Sequence, residues 1–444
     1  MIDYLTHLPP QLITLAVLVA VVGALIWDKE RADVVALAGA AVLLMTGVVR
    51  PLQVQSAFAS PAIITLASLF VIAYAMELSG LLDTAIKGLV ALCSRIGRTG
   101  LWITIGVCGS ASSILNNTPI VVLAAPVIRD AAQRLNASPK RFLIPLSYAS
   151  IMGGTCTLIG TSTNLLVNDV AGAAGQPRFG LFDITPVGLV VAAAGALYLL
   201  FFSGRLIDQS EAPNGEPMTR AHAIEGLPSS AGADPGNPAA FGEDRPLQPL
   251  RALASVIVFG GVIALAAFNV APIAACAFAG AVLLILIRVI TADEAYSGLR
   301  ADVLMLIAGM LVLGIALRTS GVAETLTDFM IGSVDQLTPL LALILLYGLV
   351  LFATEILSNA TVAVLFTPIA VSVGEAFDVS ARPFLIAVML AGSSAFATPF
   401  GYQTNTLVYQ MGRYSYMDFV RVGLPLNIVT WIAGVIAITI FFPF

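Results

Sequence analysis

The chain has 444 residues, 58% of them hydrophobic and only 11% charged, with a mean hydropathy of +0.95 and a formal net charge of −5. Soluble domains average about 25% charged residues, so this composition excludes a water-soluble fold. It calls for an all-α polytopic protein in a lipid bilayer, with no nucleic-acid partner expected.

Apolar runs of roughly 17–20 residues, enough to cross about 30 Å of hydrocarbon, recur along the whole length. Spans are expected near 11–27, 34–49 and 61–79, the third ending in Glu77-Leu78-Ser79-Gly80-Leu81. The first lacks the basic flank and small-residue cleavage site of a signal peptide and is expected to be a permanent span. A stretch near 101–128 is interrupted by Ile114-Leu115-Asn116-Asn117-Thr118-Pro119 and is expected to form a re-entrant hairpin. Spans follow near 142–170 and 186–204; the former carries Thr157, Gly160, Thr163 and Asn164. Residues 205–249, rich in Pro, Gly, Ser and Ala, are expected to be a flexible cytoplasmic linker. The second half then offers spans near 250–268, 271–290 and 302–318, with Arg318-Thr319-Ser320-Gly321-Val322 answering the earlier Ser-Gly end. A second hairpin, near 338–372, holds Ile356-Leu357-Ser358-Asn359-Ala360-Thr361. Spans near 384–410, with Thr398, Gly401, Thr404 and Asn405, and near 424–443 complete the chain.

The two Asn-containing tips are 242 positions apart and the two Thr-x-x-Gly-x-x-Thr-Asn patterns 241 apart, so the spacing within each half is nearly the same. The halves, 1–204 and 250–444, each contain five crossings and one hairpin. Because five is odd, the second half enters the membrane in the opposite sense, as in transporters built from inverted repeats with the solute site between them. With both termini outside, 17 of the 21 Lys and Arg residues face the cytoplasm, as the positive-inside rule asks of a plasma (inner) membrane protein. That bias holds only if neither Asn-containing stretch crosses, the first opening from the cytoplasm and the second from outside.

In Asn116-Asn117-Thr118-Pro119, Asn or Thr serves as a helix N-cap and Pro fits the first turn, where its missing N–H costs nothing. The second hairpin arm therefore starts near mid-membrane, and its first N–H groups carry partial positive charge. Ser358-Asn359-Ala360-Thr361 does the same from the other side, so two facing helix starts offer a site for an anion without a buried Arg or Lys. Gly153, Gly154 and Gly160, and Gly392, Pro399 and Gly401, interrupt the following spans and free backbone carbonyls suited to Na⁺. Taken singly, such small polar residues also fit helix packing; packing does not ask for both motifs twice in register.

Among ionisable residues, Glu355 lies at hairpin depth where its repeat partner is the neutral Ser113. It would bind a proton, hold a cation or cap a helix. Glu77 and Asp169 are expected at interfaces. Cys93, Cys108, Cys156 and Cys276 are expected to pack as small apolar residues, and His7 and His222 lie outside the spans. There is no His-Glu-x-x-His, no Gly-x-Ser-x-Gly and no span histidine, so an enzyme is not expected.

These paired tips, each followed by a broken helix ending in Thr-Asn, resemble the divalent anion/sodium symporter family within the citrate-transporter-like group. The run from Ala397 to Asn405 is most similar to the sulfate and general anion permease branch, here without the regulatory domains often found between the halves. The resemblance covers the chain apart from the linker. It implies a homodimeric elevator-type carrier of a small inorganic or organic anion, with Na⁺ (or H⁺) as coupling ion and no further cofactor. It also implies one sodium site at Ser112, Asn116, Asn117 and the Gly160 backbone, and a second at Thr354, the Leu357 carbonyl, Asn359 and the Gly401 backbone. Substrate would meet Asn117, Thr118, Asn359 and Ala360, with Thr161 and Tyr402 nearby. Ala360 in place of the usual Thr, and the bulk of Tyr402, point to sulfate over a dicarboxylate or tricarboxylate. The rival function is a cation/proton antiporter or arsenite-type exporter of the same broader group, with Glu355 and Asp169 as coupling acids.

Overall fold

A computed structural model describes residues 9–27, 29–115, 117–207, 246–325, 327 and 338–444. Asn116, both histidines and most of the linker (208–245) lie outside the described residues. The first half contains α1 (Pro10–Trp27), α2 (Ala32–Met45), α3 (Pro51–Phe58), α4 (Pro61–Leu78), α5 (Leu81–Ser94), α6 (Arg98–Ser112), α7 (Asn117–Arg134), α8 (Lys140–Gly154), α9 (Ser162–Ala173) and α10 (Thr185–Tyr198), which continues through a π-helical turn to Leu206. The second half contains α11 (Pro249–Ala267), α12 (Ile273–Leu286), α13 (Ala292–Ser297), α14 (Ala301–Thr319), α15 (Pro339–Ala353), α16 (Asn359–Ala376), α17 (Arg382–Ala391), α18 (Gln403–Gly412) and α19 (Tyr416–Phe441).

The protein is an all-helical integral membrane protein. Seven helical stretches among the described residues are long and apolar enough to cross a bilayer: α1, α3–α4 together, α10 with its extension, α11, α14, α16 and α19. Their outward faces carry side chains such as Leu250 and Phe268, each more than 80% exposed, a surface that suits lipid and not water. The expected spans near 34–49 and 271–290 are shorter than anticipated, at 14 residues each. The chain turns early at Gly47 (φ +74°) and Arg288 (φ +58°), and each turn is followed by a short helix, α3 or α13, which the hydropathy pattern did not disclose. The spans near 142–170 and 384–410 are each broken in two, as the internal glycines suggested.

Local sequence explains many of these boundaries. Pro begins α3, α4, α11 and α15, where a missing N–H is harmless. Ser60, Thr338 and Ser358 cap α4, α15 and α16 by accepting the third-residue N–H at 3.2–3.3 Å. The Ser-Gly echo has a conformational basis, since Gly80 (φ +69°) and Gly321 (φ +79°) both end their helices in the left-handed region. A third matched pair, Asn136 (φ 50°) and Asp378 (φ 53°), ends α7 and α16 in the same way.

Packing follows the same correspondence. α2 lies on α14, and α4 on α12; α7 packs on α18, and α16 on α9. Each Asn-containing arm therefore buries its apolar face against the broken helix of the opposite half. Two hydrophobic cores result, one joining α9, α14, α16 and α17, the other joining α6, α7, α8 and α18. Two glycines let the last helix of each half lie directly on the broken-helix connections. A Cβ on Gly188 would meet the Cys156 Cα at 2.6 Å, and one on Gly423 the Phe396 carbonyl at 2.0 Å.

Candidate functional site: two helix tips and two broken helices

After α6 the chain turns and restarts as α7 at Asn117, and the two arms pack against each other. Asn117 and Thr118 are buried. The Asn117 amide is held at both ends: its Oδ1 accepts from Ser112 Oγ at 2.6 Å, and its Nδ2 donates to the Tyr402 hydroxyl at 2.7 Å. Thr118 Oγ1 donates to Gln403 Oε1 at 3.4 Å. The second tip repeats the first of these bonds, with Thr354 Oγ1 lying 2.8 Å from Asn359 Oδ1 and 2.9 Å from the Gly392 carbonyl. A hydroxyl five residues before the Asn thus orients the amide in both halves.

The Thr-x-x-Gly-x-x-Thr-Asn patterns form a second matched pair. Thr157 Oγ1 donates to the Ser113 carbonyl and accepts from Gly160 N at 3.2 Å; Thr398 Oγ1 lies 3.2 Å from the Glu355 carbonyl and accepts from Gly401 N at 3.2 Å. Asn164 Nδ2 donates to the Thr157 carbonyl at 2.9 Å, and Asn405 Nδ2 to the Thr398 carbonyl at 3.2 Å. These Thr and Asn side chains close the turn themselves; Thr157 latches onto its tip through the Ser113 carbonyl, and the single Thr398 hydroxyl proton reaches the Glu355 residue through its carboxylate at 2.9 Å.

That closure gathers oxygens in the first half. A Cβ on Gly160 would sit 2.3 Å from the Gly154 carbonyl and 2.8 Å from that of Ser113; one on Gly154 would sit 2.6 Å from Asn117 Oδ1 and 3.1 Å from the Gly160 carbonyl. Four neutral, hard oxygens thus lie around these two glycines, with the Asn117 Nδ2 3.0 Å from the would-be Gly154 Cβ. Around Gly401 the arrangement is sparser, with the Thr354 carbonyl 3.5 Å and Thr398 Oγ1 2.9 Å from a would-be Cβ.

Of the remaining expected residues, Thr161, Asn359 and Ala360 are buried, and Thr161 Oγ1 lies 3.5 Å from Thr163 Oγ1. Leu357 is half-buried, with its N–H on the Ala353 carbonyl at 2.9 Å. Glu355 is tightly bound: Oε1 accepts from Phe396 N (2.9 Å), Ala397 N (2.8 Å) and Asn427 Nδ2 (2.7 Å), and Oε2 from Thr398 N and Thr398 Oγ1 (both 2.9 Å). Asp169 is buried and paired with Arg178 at 3.0 Å. The four cysteines are buried and unlinked.

Sequence reasoning did not single out Ser147, Gln403 and Asn427. Ser147 Oγ lies 2.8 Å from Thr404 Oγ1 and 2.7 Å from Asn405 Oδ1, tying the two broken helices together. Its only sequence signal is a hydroxyl in a largely apolar run that also holds Tyr148 and Ser150. A cavity of about 680 Å³ opens elsewhere, between α3, α4, α9 and α14, beside Asp169, Arg178 and Arg318. None of the expected site residues except Asp169, the rival reading's second acid, lines it.

Residues 22–380 match the family described as citrate transporter. The chain belongs to that family. It is similar over 95% of its length, at 24% identity, to an uncharacterized transporter (sll0640) of Synechocystis, of which it covers 95%. A 127-residue stretch, 27% of the chain, is 37% identical to sodium/sulfate cotransporter 1 of Chlamydomonas reinhardtii, covering 14% of that protein. In fold it resembles the Alcanivorax borkumensis YdaH transporter, with a TM-score of 0.62 at 14% identity over 98% of both chains. This citrate-transporter-family protein is consequently a membrane transporter of the anion-carrier group and not an enzyme, in agreement with the resemblance to the divalent anion/sodium symporters.

Proposed function

We propose that the protein is a Na⁺-coupled symporter of a small divalent oxyanion, sulfate before succinate or citrate, acting by alternating access in the plasma (inner) membrane. The observation that carries this reading is the cluster of four neutral oxygens beside the buried Asn117 tip, with a matching Thr–Asn bridge in the other half. Neutral carbonyl and amide oxygens at broken helices are the donor set by which such carriers hold Na⁺. Asn117 Oδ1 and the carbonyls of Ser113, Gly154 and Gly160 would hold one ion; Thr354 and Gly401, with Asn359, would contribute to a second. Bound Na⁺ supplies positive charge beside the helix starts of α7 and α16, whose N–H dipoles then favour an anion at Asn117, Thr118, Asn359 and Ala360.

The halves act as inverted repeats flanking a cytoplasmic linker, with α6–α7 and α15–α16 as re-entrant hairpins. These and the broken helices α8–α9 and α17–α18 move together as the elevator of a homodimer. The name of the Chlamydomonas relative supports sulfate and Na⁺. So does the bulk of Tyr402, a buried ring bonded to Asn117 at the position where the other half has Thr161. Uptake of labelled sulfate, succinate and citrate into proteoliposomes, under separate Na⁺ and pH gradients, tests the proposal. Sulfate uptake driven by inward Na⁺ is expected. Succinate uptake unaffected by excess sulfate would overturn the substrate, and pH-driven uptake indifferent to Na⁺ would favour the proton-coupled rival.

A further inference from the structure

The two halves differ most where their broken helices unwind. α8 stays helical to Gly154, whereas α17 ends at Ala391, the position matching Ser150, about one turn before the end of α8. In the first half the amides of Thr155 and Cys156 still find helical acceptors, at the Ile151 (3.3 Å) and Gly153 (3.0 Å) carbonyls. Their counterparts, Phe396 and Ala397, have lost that ladder, and together with Thr398 N they donate to the Glu355 carboxylate. Unpaired backbone N–H groups are not tolerated at this depth. A carboxylate is the side chain that accepts from several donors at once.

We propose that Glu355 is a positioning residue, whose carboxylate replaces the helical acceptors surrendered by the early end of α17. It thereby fixes the backbone 395–401 beside the second helix tip. The inference deepens the Na⁺-coupled reading above and rests on it for its transport readout. Five donors converge on the group, three on Oε1 and two on Oε2, all within 2.9 Å. One of them, Thr398, also carries Gly401 through its hydroxyl, so the clamp reaches the carbonyls assigned to the second ion. Asn427, on α19, braces the carboxylate from behind, and Gly423 brings the same helix against Phe396. The first half needs no such residue, because Ser113 offers its backbone carbonyl alone to Thr157.

The test compares wild type, Glu355→Gln and Asn427→Ala in proteoliposomes. An amide at 355 sets an NH₂ donor against other donors, so the Na⁺ half-saturation for sulfate uptake is expected to rise roughly tenfold or more. The sulfate KM at saturating Na⁺ and the shape of the pH profile are expected to stay as in wild type. Asn427→Ala keeps the carboxylate and removes one of its donors, and is expected to shift the Na⁺ half-saturation the same way by about threefold. A Glu355→Gln protein with wild-type Na⁺ activation and a flattened pH profile would make the residue a proton carrier and overturn the clamp. Should that variant fail to insert, unchanged Na⁺ activation in Asn427→Ala overturns it alone. Hydrogen exchange separates this inference from the transport reading: amides 396–398 are expected to exchange faster in either variant, with 151–157 unchanged, whatever the coupling ion. Unaltered protection at 396–398 refutes the clamp.

Discussion

Gly160→Ala addresses the oxygen cluster with the smallest possible change. The added methyl would lie 2.3 Å from the Gly154 carbonyl oxygen and 2.8 Å from that of Ser113. Both obstacles are backbone atoms in buried turns, so neither can swing aside as a side-chain end would. Overpacking of this kind costs about 1–3 kcal/mol. If the carbonyls must splay to relieve it, that energy is drawn from ion binding. At about 1.4 kcal/mol per decade, the Na⁺ half-saturation is expected to rise roughly 5- to 150-fold. Gly401→Ala meets the Ala395 Cβ and the Thr398 hydroxyl at 2.7 and 2.9 Å but leaves the Thr354 carbonyl oxygen at 3.5 Å, an ordinary contact, and is expected to shift Na⁺ activation less. Gly106→Ala, on the exposed side of α6 with nothing within 4 Å, is the control. The assay is Na⁺-dependent uptake of radiolabelled sulfate in proteoliposomes, with Na⁺-induced thermal stabilisation in detergent as a transport-free check. A Gly160→Ala protein that is folded and keeps wild-type Na⁺ activation would refute the assignment of these oxygens to an ion.

Tyr402→Thr, which copies Thr161 of the other half, removes the ring and the hydroxyl that holds Asn117. It is expected to weaken sulfate uptake and to let succinate compete, read by inhibition of labelled sulfate influx. Ser147→Ala leaves the Asn405 Oδ1 acceptor without its serine partner in a fully buried setting. A loss of about 1–3 kcal/mol is expected, seen as a lower thermal midpoint, whereas Ser110→Ala on the exposed face of α6 should change little. Arg178→Gln removes the half-exposed ion-pair partner of the buried Asp169 carboxylate, which keeps the Ser60 hydroxyl and the Ala62 N–H, and is expected to destabilise by about 1 kcal/mol. Asp169→Asn in the same chain should recover much of that, and its failure to do so would show that the pair is not what holds this corner.

The features legible in the sequence are those set by short-range chemistry. The tips at Asn117 and Asn359 could be read because N-capping by Asn, Ser and Thr, and a Pro in the first turn, are decided within four residues. The breaks after α8 and α17 could be read from Gly154, Gly160, Gly392 and Gly401, since glycine inside an apolar run weakens a helix wherever it stands. The short helices α3 and α13 were missed because hydropathy does not distinguish a span's end from a second helix after a left-handed turn. Leu357 entered through family resemblance alone, and the carbonyls of Ser113 and Gly154 went unnamed because a backbone oxygen leaves no letter in the sequence.

By itself, then, the sequence determined that this is an all-helical membrane protein, where its helices break, and which polar residues sit at the breaks. Only the tertiary structure decided which of those residues serve one another. Asn117 meets Tyr402 across 285 positions and Ser147 meets Asn405 across 258, because each tip packs on the broken helix of the opposite half. Glu355 is the plainest instance: in the sequence it is an acid at membrane depth, open to several roles. Its partners are amides freed only when α17 ends early, and their positions depend on how the two halves interlock. Local propensity can announce an unsatisfied group, but the partner that satisfies it is chosen by packing.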